Sequence, residues 1–264
     1  MIKRIIVISI ILLLLSTILL QAVACSKDTD ATAELFTKFI AHRGLSSEHY
    51  DNSEDAFLAA ADSSFFWGIE TDIWQTKDGV WVCAHDINPF ADINIKITDL
   101  NFAEASIIPL KPTQAFEGEY YLCSFQRYLE ICSAYNKTAV IELKFKSDTA
   151  QLIELLEFTQ NIISLDNTMF ISFHSTNITK LLSLNSAVIA QILVNAEAMT
   201  PLYVANSYNI GISKAIINDD IIALCKEKGL LINVWTVNDK EEAAAYVVKK
   251  VNFITTDYIF DFTE

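Results

Sequence analysis

Apolar residues along this chain alternate between short runs of strand character and longer amphipathic segments of helical period. The runs with strand character begin near residues 39, 68, 139, 169, 187, 209, 231 and 252. Helices are predicted over about 32–38, 53–63, 124–133, 148–162, 177–184, 196–205, 219–228 and 239–249. Strands that alternate with helices imply parallel pairing, so eight such units predict a closed (β/α)8 TIM barrel.

The stretch after the second strand departs from this alternation. Asp78-Gly79 is typical of a tight hairpin turn, and residues 80–84 predict the returning arm. Residues 87–112 are interpreted as an insertion with short elements, and the last strand ends so close to Glu264 that the eighth helix is predicted to be missing or reduced to a turn. An open doubly wound sheet is the competing architecture, but the sequence contains no G-x-G-x-x-G loop, which favours the barrel.

Residues 1–25 have the pattern of a targeting segment. Two basic residues precede an apolar run from Ile5 to Leu20, which is shorter than the roughly 20 residues of a membrane span. Cys25 follows small residues as in a bacterial lipoprotein signal, although Ala22 stands where Leu is usual. We expect a signal peptide with lipidation at Cys25, and the alternatives are simple cleavage or an uncleaved anchor. The protein is then exported to the cell surface or periplasm, and it contacts membrane only through this lipid or anchor.

The remaining residues, 26–264, suffice for one barrel domain with a large core. The chain has 19 Lys and Arg against 33 Asp and Glu, of which residues 1–24 hold two basic residues and no acid, so the mature net charge is −16. This excess argues against nucleic acid or anionic lipid as a partner. The other cysteines lack C-x-x-C spacing and are expected to be buried free thiols, although an export compartment permits a disulfide: Cys83, Cys123, Cys132 and Cys225.

Polar residues stand at the ends of the predicted strands, where barrel enzymes carry their chemistry. Glu70 and Asp72 are two apart in a strand and therefore face the same side. Glu142, at the end of the third inner strand, is expected to face them across the barrel mouth. The other polar and aromatic residues at strand or hairpin ends are His42, Arg43, His85, Asp86, Lys144, His174, Trp235 and Asp257.

These residue types indicate a particular chemistry. Three converging carboxylates repel one another unless a cation lies between them, and oxygen ligands suit Ca²⁺ or Mg²⁺. Arg43 and Lys144 are suited to hold a phosphate that bridges to such a metal. Two flanking histidines are suited to general base and general acid roles, in either order. The residues therefore predict metal-assisted cleavage of a phosphoester.

A longer set of motifs extends from about residue 39 to the end of the chain. In order, they are His42-Arg43-Gly44, Asn52-Ser53 with Ala56-Phe57, Glu70-x-Asp72, Lys77-Asp78-Gly79, His85-Asp86, Glu142-x-Lys144, Trp235-Thr236-Val237-Asn238 and Thr256-Asp257. This ordered set resembles the glycerophosphodiester phosphodiesterase family, whose barrel is similar to that of the phosphatidylinositol phosphodiesterases.

The resemblance implies a (β/α)8 barrel that hydrolyses glycerophosphodiesters to glycerol 3-phosphate and an alcohol with a divalent cation, Ca²⁺ or Mg²⁺. By position it implies metal ligands at Glu70, Asp72 and Glu142, an acid/base pair at His42 and His85, phosphate-binding residues at Arg43 and Lys144, and substrate packing by Trp235. His174 is either a further substrate contact or a structural hydrogen-bonding residue. Asp86 is expected to orient His85 or a metal ligand, and Asp257 to be structural.

Two departures from the family pattern leave the substrate open. Tyr50-Asp51-Asn52-Ser53 stands where Pro-Glu-Asn-Thr is usual, so it is open whether Asp51 has a supporting role and whether Asn52 only caps a helix. The insertion after Asp86 also differs from the usual one. One alternative is a barrel phosphodiesterase that acts on lysophospholipid or cell-wall teichoic acid, and another is a non-catalytic surface protein that binds phosphodiesters.

Overall fold

The computed structural model describes residues 37–112, 115, 116 and 118–262. The expected signal peptide, residues 1–25, lies outside the described residues, as does most of the short helix predicted over 32–38. Within the described part of the chain the strands are β1 Lys38–Ala41, β2 Phe66–Gln75, β3 Trp81–Cys83, β4 Cys123–Ser124, β5 Thr138–Leu143, β6 Thr168–Ser172, β7 Ile189–Val194, β8 Ile210–Ser213, β9 Ile232–Trp235 and β10 Phe253–Thr256.

The parallel strands close into a barrel. β1 pairs with β10 on one side, where Ala41 is in register with Thr256, and with β2 on the other, where Ala41 is in register with Ile69. From β2 the parallel pairing continues through β5, β6, β7, β8 and β9 to β10. An open sheet would leave β1 or β10 unpaired on one side, so the predicted barrel is confirmed and the doubly wound alternative is wrong.

The alternation of side chains along each strand determines which residues face the barrel interior. On β5, Ala139, Ile141 and Leu143 join the main cluster that packs against the surrounding helices. Val140 points the other way, into a separate interior cluster with residues of the other strands such as Ile40 and Met169. Glu70, Asp72 and Glu142 therefore emerge on the inner face at the carboxyl ends of β2 and β5.

Helices connect successive parallel strands, close to their predicted positions. Within the described residues the α-helices are α1 Glu54–Asp62, α2 Phe102–Ala105, α3 Phe125–Ala134, α4 Thr149–Gln160, α5 Ser175–Leu184, α6 Thr200–Ala205, α7 Asp219–Glu227 and α8 Lys240–Val248. Several begin at a side chain that accepts a hydrogen bond from the first turn, as Ser53, Ser124 and Asp148 do. The helix predicted over 196–205 divides into a 3-10 turn, Glu197–Met199, and the short α6. In the described part of the chain, none of the helices has the length and hydrophobicity needed to cross a bilayer.

The insertion after β2 has a small core of its own. β3 returns antiparallel to β2, as the Asp-Gly turn predicts, and β4 pairs antiparallel with β3. Between β3 and β4 lie α2 and a 3-10 turn at Ile97–Asp99. Apolar side chains of this segment, among them Phe90 and Ile97, form a separate buried cluster. The ring of Tyr50 stacks on that of Tyr120 at 4.7 Å between centroids, which attaches this insertion to the loop after β1.

An irregular segment stands where the eighth helix of a full barrel would follow. The described residues after β10, 257–262, form two bends followed by chain without regular secondary structure. Phe260 and Phe262 pack against Phe39 of β1 and against Phe65. These aromatic contacts cover the outer side of β1. Since the described residues after β10 form no helix, the reduced last helix that the sequence predicts is confirmed.

Candidate active site

Three carboxylates meet at the carboxyl ends of β2 and β5. Asp72 and Glu142 are direct register partners, and Glu70 precedes Asp72 by two positions on the same face. One ligand oxygen from each of the three residues lies within 4.8 Å of the others. All three side chains are buried, and a cluster of hard oxygen donors at this spacing fits a divalent cation such as Ca²⁺ or Mg²⁺.

The three carboxylates have different proton affinities because their neighbours differ. Burial, Asp72 and Glu142 raise the pKa of Glu70 well above its usual range. Burial and Asp72 also raise the pKa of Glu142, to about 7. Burial opposes ionisation of Asp72 too, but Arg43 and Lys144 outweigh it and lower the pKa of that carboxyl. Of the three carboxyl groups, Asp72 is therefore the one that ionises most readily.

Lys144 and Arg43 neutralise Asp72 from two sides. Nζ of Lys144 lies 3.1 Å from Oδ1 of Asp72 and 3.0 Å from Oε1 of Glu142. Nε of Arg43 lies 3.3 Å from Oδ2 of Asp72, and its Nη1 donates to Oδ2 of Asp51 at 3.1 Å. Asp51 therefore keeps a supporting contact although it is one methylene shorter than the usual glutamate.

The backbone around Arg43 is fixed by an unusual turn. Arg43 has φ of +58° and Gly44 has φ of +83°, and the Arg43 backbone N–H donates to Oε2 of Glu70 at 2.9 Å. A Cβ at Gly44 would lie 2.6 Å from the carbonyl carbon of Ala56, so the close approach of this loop to α1 requires glycine. The left-handed backbone conformation of Arg43 and Gly44 thus accompanies the placement of the Arg43 guanidinium in the site.

Asn52 orients Asp72 and does not cap the helix. Ser53 is the residue whose side chain caps α1. The Asn52 side chain instead donates from Nδ2 to Oδ2 of Asp72 at 3.0 Å, and its Oδ1 accepts from the Thr71 hydroxyl at 2.8 Å. Asn52 is buried and has φ of +56°, so this loop is shaped around the contact with β2.

His42 is held by a carboxylate that directly follows the last strand of the barrel. Nδ1 of His42 lies 2.7 Å from Oδ1 of Asp257, which also accepts from the Ser46 hydroxyl at 2.9 Å. Oδ2 of Asp257 accepts a hydrogen bond from Asn238. The pKa of Asp257 is lowered because these hydrogen bonds, with His42 first among them, outweigh its burial. An ionised carboxylate only accepts, so Nδ1 of His42 carries the proton and Nε2 is free for the cavity.

His85 reaches the cavity from the end of the hairpin. The backbone N–H of the preceding residue, Ala84, donates to the Asp72 carbonyl at 3.0 Å, and the Trp74 indole N–H lies 3.4 Å from the His85 carbonyl. Nδ1 of His85 lies 3.0 Å from Oδ1 of Asp86, so Asp86 orients this histidine as expected. Burial and the positive charge of Arg43 lower the pKa of His85, which favours the neutral imidazole at pH 7.

A cavity of about 260 Å³ lies over these groups. It is lined by His42, Arg43, Glu70, His85, Glu142, Lys144, Ile171, Phe173, Leu193, Asn195, Asn233, Trp235, Thr236 and Thr255. The rings of Phe173 and Trp235 meet edge to face at 5.6 Å and form an aromatic wall. Polar side chains also line the cavity, among them Asn233, which is hydrogen-bonded to Thr255. The cavity thus joins a charged end to a mixed apolar and polar end.

The structure brings together most of the residues that the sequence singled out, with one exception. His174 is exposed at the start of α5 and is not among the residues that line the cavity. The substrate contact predicted for His174 stays a prediction, since the preceding residue, Phe173, is the one that lines the cavity. Sequence reasoning also missed Asn195, Asn233 and Thr255, which follow or lie on strands β7, β9 and β10 and could have been found as polar residues near the strand ends.

Comparison of the sequence with models of protein families agrees with this geometry. Residues 42–260 match the model of the glycerophosphoryl diester phosphodiesterase family. The chain belongs to this family. Glycerophosphoryl diester phosphodiesterases are phosphoric diester hydrolases, so the predicted family and enzyme class are confirmed.

Solved structures share the fold of this glycerophosphoryl diester phosphodiesterase family member. A glycerophosphodiester phosphodiesterase from Parabacteroides distasonis has a TM-score of 0.70 and 23% identity, with 84% of this chain and 92% of that chain covered. A phosphodiesterase from Oleispira antarctica, in complex with the product sn-glycerol-3-phosphate, has a TM-score of 0.72 and 19% identity, covering 84% and 93%. A glycerophosphodiester phosphodiesterase from Agrobacterium tumefaciens str. C58 has a TM-score of 0.69 and 20% identity, covering 84% and 96%. Comparison with curated proteins finds no significant match.

Proposed function

We propose that this protein hydrolyses glycerophosphodiesters to glycerol 3-phosphate and an alcohol with a divalent cation, Ca²⁺ or Mg²⁺. The observation that carries the proposal is the meeting of Glu70, Asp72 and Glu142 in a cavity that His42 and His85 also line. The three carboxylates would hold the cation. When bound, the cation would supply positive charge that stabilises the phosphate oxygens during displacement.

Arg43 and Lys144 are proposed to bind the phosphate of the substrate. Both line the cavity, and both form ion pairs with the carboxylate of Asp72, a proposed metal ligand. The carboxylates raise the pKa of the Lys144 ammonium against the effect of its burial, so it stays charged in the working range. A phosphodiester placed between the cation site and these two groups would have its negative charge balanced on both sides.

The two histidines are proposed to move the protons. Each has a carboxylate at Nδ1, Asp257 for His42 and Asp86 for His85. This arrangement leaves Nε2 of each imidazole to serve as general base toward water or as general acid toward the leaving alcohol. Phe173 and Trp235 are proposed to pack on the carbon chain of glycerol, while Asn233 and Thr255 offer polar groups for its hydroxyls.

The test uses the full chain and glycerophosphocholine, with glycerol 3-phosphate as the measured product. We expect turnover with Ca²⁺ or Mg²⁺, none after chelation, and recovery when metal is returned. His42→Ala and His85→Ala should each lose at least about 100-fold in kcat. His174→Ala is the matched control and should keep wild-type turnover, because His174 lies outside the cavity. Turnover that survives chelation, or that survives in His42→Ala, would refute the proposal.

We also propose that the protein is exported and lipid-anchored through Cys25. Support comes from the apolar run Ile5 to Leu20 and the small residues before Cys25. Mass spectrometry of the amino terminus recovered from the membrane fraction tests this. A diacylated Cys25 is the expected result, and a chain that still begins at Met1 would contradict it.

A further inference from the structure

Two buried cysteines face each other at the base of the insertion. Cys83 ends β3 and Cys123 begins β4, and they are direct register partners on antiparallel strands. Directly opposed residues of such a pair point to the same side of the sheet, with Cα atoms about 4.5–5.5 Å apart. A disulfide spans Cα separations of roughly 4.4–6.8 Å, so the register meets this requirement without moving the backbone.

The side chains themselves are in contact. Cys83 and Cys123 both belong to the main buried cluster, with 1% and 7% of their surfaces exposed. Burial raises the pKa of the Cys83 thiol well above its usual range, and a hydrogen bond with the Cys123 thiol raises it further. The other two described cysteines differ, because Cys132 lies on α3 with the Tyr128 hydroxyl as a hydrogen-bonding partner and Cys225 lies on α7.

We propose that Cys83 and Cys123 form a cross-strand disulfide that fastens the base of the insertion. The oxidant is a small-molecule disulfide such as oxidised glutathione. One protein thiol loses its proton and attacks a sulfur of the oxidant, which forms a mixed disulfide and releases one small thiolate. The second protein thiol then loses its proton and attacks the protein sulfur of the mixed disulfide, which releases the second small thiolate. The protein loses two electrons and two protons, and the oxidant becomes two small thiols.

The bond would act on the strand that supplies a proposed catalytic residue. β3 and β4 are only three and two residues long, so few backbone hydrogen bonds hold the base of the insertion. β3 runs directly into His85, two residues beyond Cys83. A covalent link at this place closes a loop of about 40 residues that contains the whole insertion, and it restricts the unfolded chain accordingly.

The experiment refolds the full chain from denaturant with reduced and oxidised glutathione, because the folded protein buries both thiols. Free thiols are then blocked in denaturant, and the linked peptides are identified by mass spectrometry with and without reduction. The expected peptide joins Cys83 to Cys123 and is two hydrogen atoms lighter than its reduced parts. Thermal unfolding is followed in parallel, and the oxidised protein should unfold about 10 °C higher than the reduced protein.

Two variants separate this pairing from other oxidation. Cys83→Ser should lose both the linked peptide and the difference in Tm between oxidised and reduced protein. Cys132→Ser should keep both. The peptide map of the wild-type protein alone decides whether the disulfide forms. The proposal can therefore be tested even if a variant fails to fold. Wild-type protein that keeps both thiols free under oxidising refolding, or that links Cys83 to a different cysteine, would overturn it.

Discussion

The contact between His42 and Asp257 gives the sharpest test of the proposed mechanism. In Asp257→Asn the side chain keeps its shape, but one of its two acceptor oxygens becomes a donor. If the amide nitrogen faces Asn238, two donors oppose each other. If it faces His42, Nδ1 must accept, and the imidazole takes the tautomer that carries its proton on Nε2. The first orientation costs the contact with Asn238 and leaves Nδ1 of His42 with a neutral acceptor, and the second removes the state in which Nε2 of His42 is free to accept a proton.

The size of the effect follows from the hydrogen bond that is lost. Hydrogen bonds to charged groups contribute roughly 1.5–3 kcal/mol. His42 and Asp257 have 22% and 25% of their side chains exposed, so solvent weakens the bond and we take about 2 kcal/mol. That energy corresponds to a loss of about 30-fold in kcat. KM and metal affinity should change little, because Asp257 does not contact the three carboxylates of the metal site.

The assay compares kcat and KM for glycerophosphocholine in wild type, Asp257→Asn and Ser46→Ala. Ser46 donates to the same oxygen of Asp257, but Ser46→Ala leaves both the carboxylate and its contact with His42 in place, so it should cost only a few-fold in kcat. A variant Asp257→Asn that keeps kcat within about threefold of wild type would refute the positioning role. A change in KM without a change in kcat in Asp257→Asn would refute it as well.

The same substitution changes the dependence of stability on pH. The folded pKa of Asp257 is below its unfolded value, so its ionised form stabilises the protein above about pH 4, the unfolded pKa. This contribution is lost as the pH falls through the lower folded pKa. Asp257→Asn should therefore have a lower Tm than wild type at pH 7, and the difference should shrink below pH 4. A difference that grows on acidification would contradict the assignment.

Three further predictions concern the metal site and the loops that support it. Because metal must displace the proton that Glu142 holds below about pH 7, calorimetric Ca²⁺ affinity should fall by at least about fivefold between pH 7 and 6. Binding that does not change with pH would contradict this. Asn52→Ala should lower metal affinity by about 10- to 100-fold, whereas Asn136→Ala, at an exposed residue with similar φ, should leave it unchanged. Gly44→Ala should lower the Tm by more than about 5 °C. Gly229 also has positive φ but has open space around it, so Gly229→Ala should lower the Tm by less. Equal losses of Tm in the two variants would refute the steric argument.

The fold could be predicted because its signals are local and repeated. A barrel strand such as β5 is buried on both faces and therefore appears in the sequence as a short apolar run, and each run is followed by a helical period. The charged residues Glu142 and Lys144 interrupt this pattern at the end of the run. Since parallel strands place their carboxyl ends at one edge, residues far apart in sequence could be assigned to one site without a model of the loops.

The contacts that hold the site residues in position could not be predicted, because they depend on loop geometry that the sequence pattern does not encode. Asn52 is next to a helix cap and could equally have been the cap, and only the positive φ of the loop turns it toward Asp72. Asp257 could equally have bonded backbone groups at the barrel seam, and it is the closure of β10 on β1 that brings it to His42. After β6, a shift of one residue determines whether Phe173 or His174 lines the cavity, and Phe173 is the residue that does.

The charge balance of the site gives a reason why a phosphodiester suits it. Three buried carboxylates face two fixed cations, Arg43 and Lys144, which leaves one negative charge when all are ionised. A divalent cation changes this to one positive charge, and a phosphodiester, which carries a single negative charge, brings the group to neutrality. A bound diester therefore leaves no uncompensated charge in this buried site.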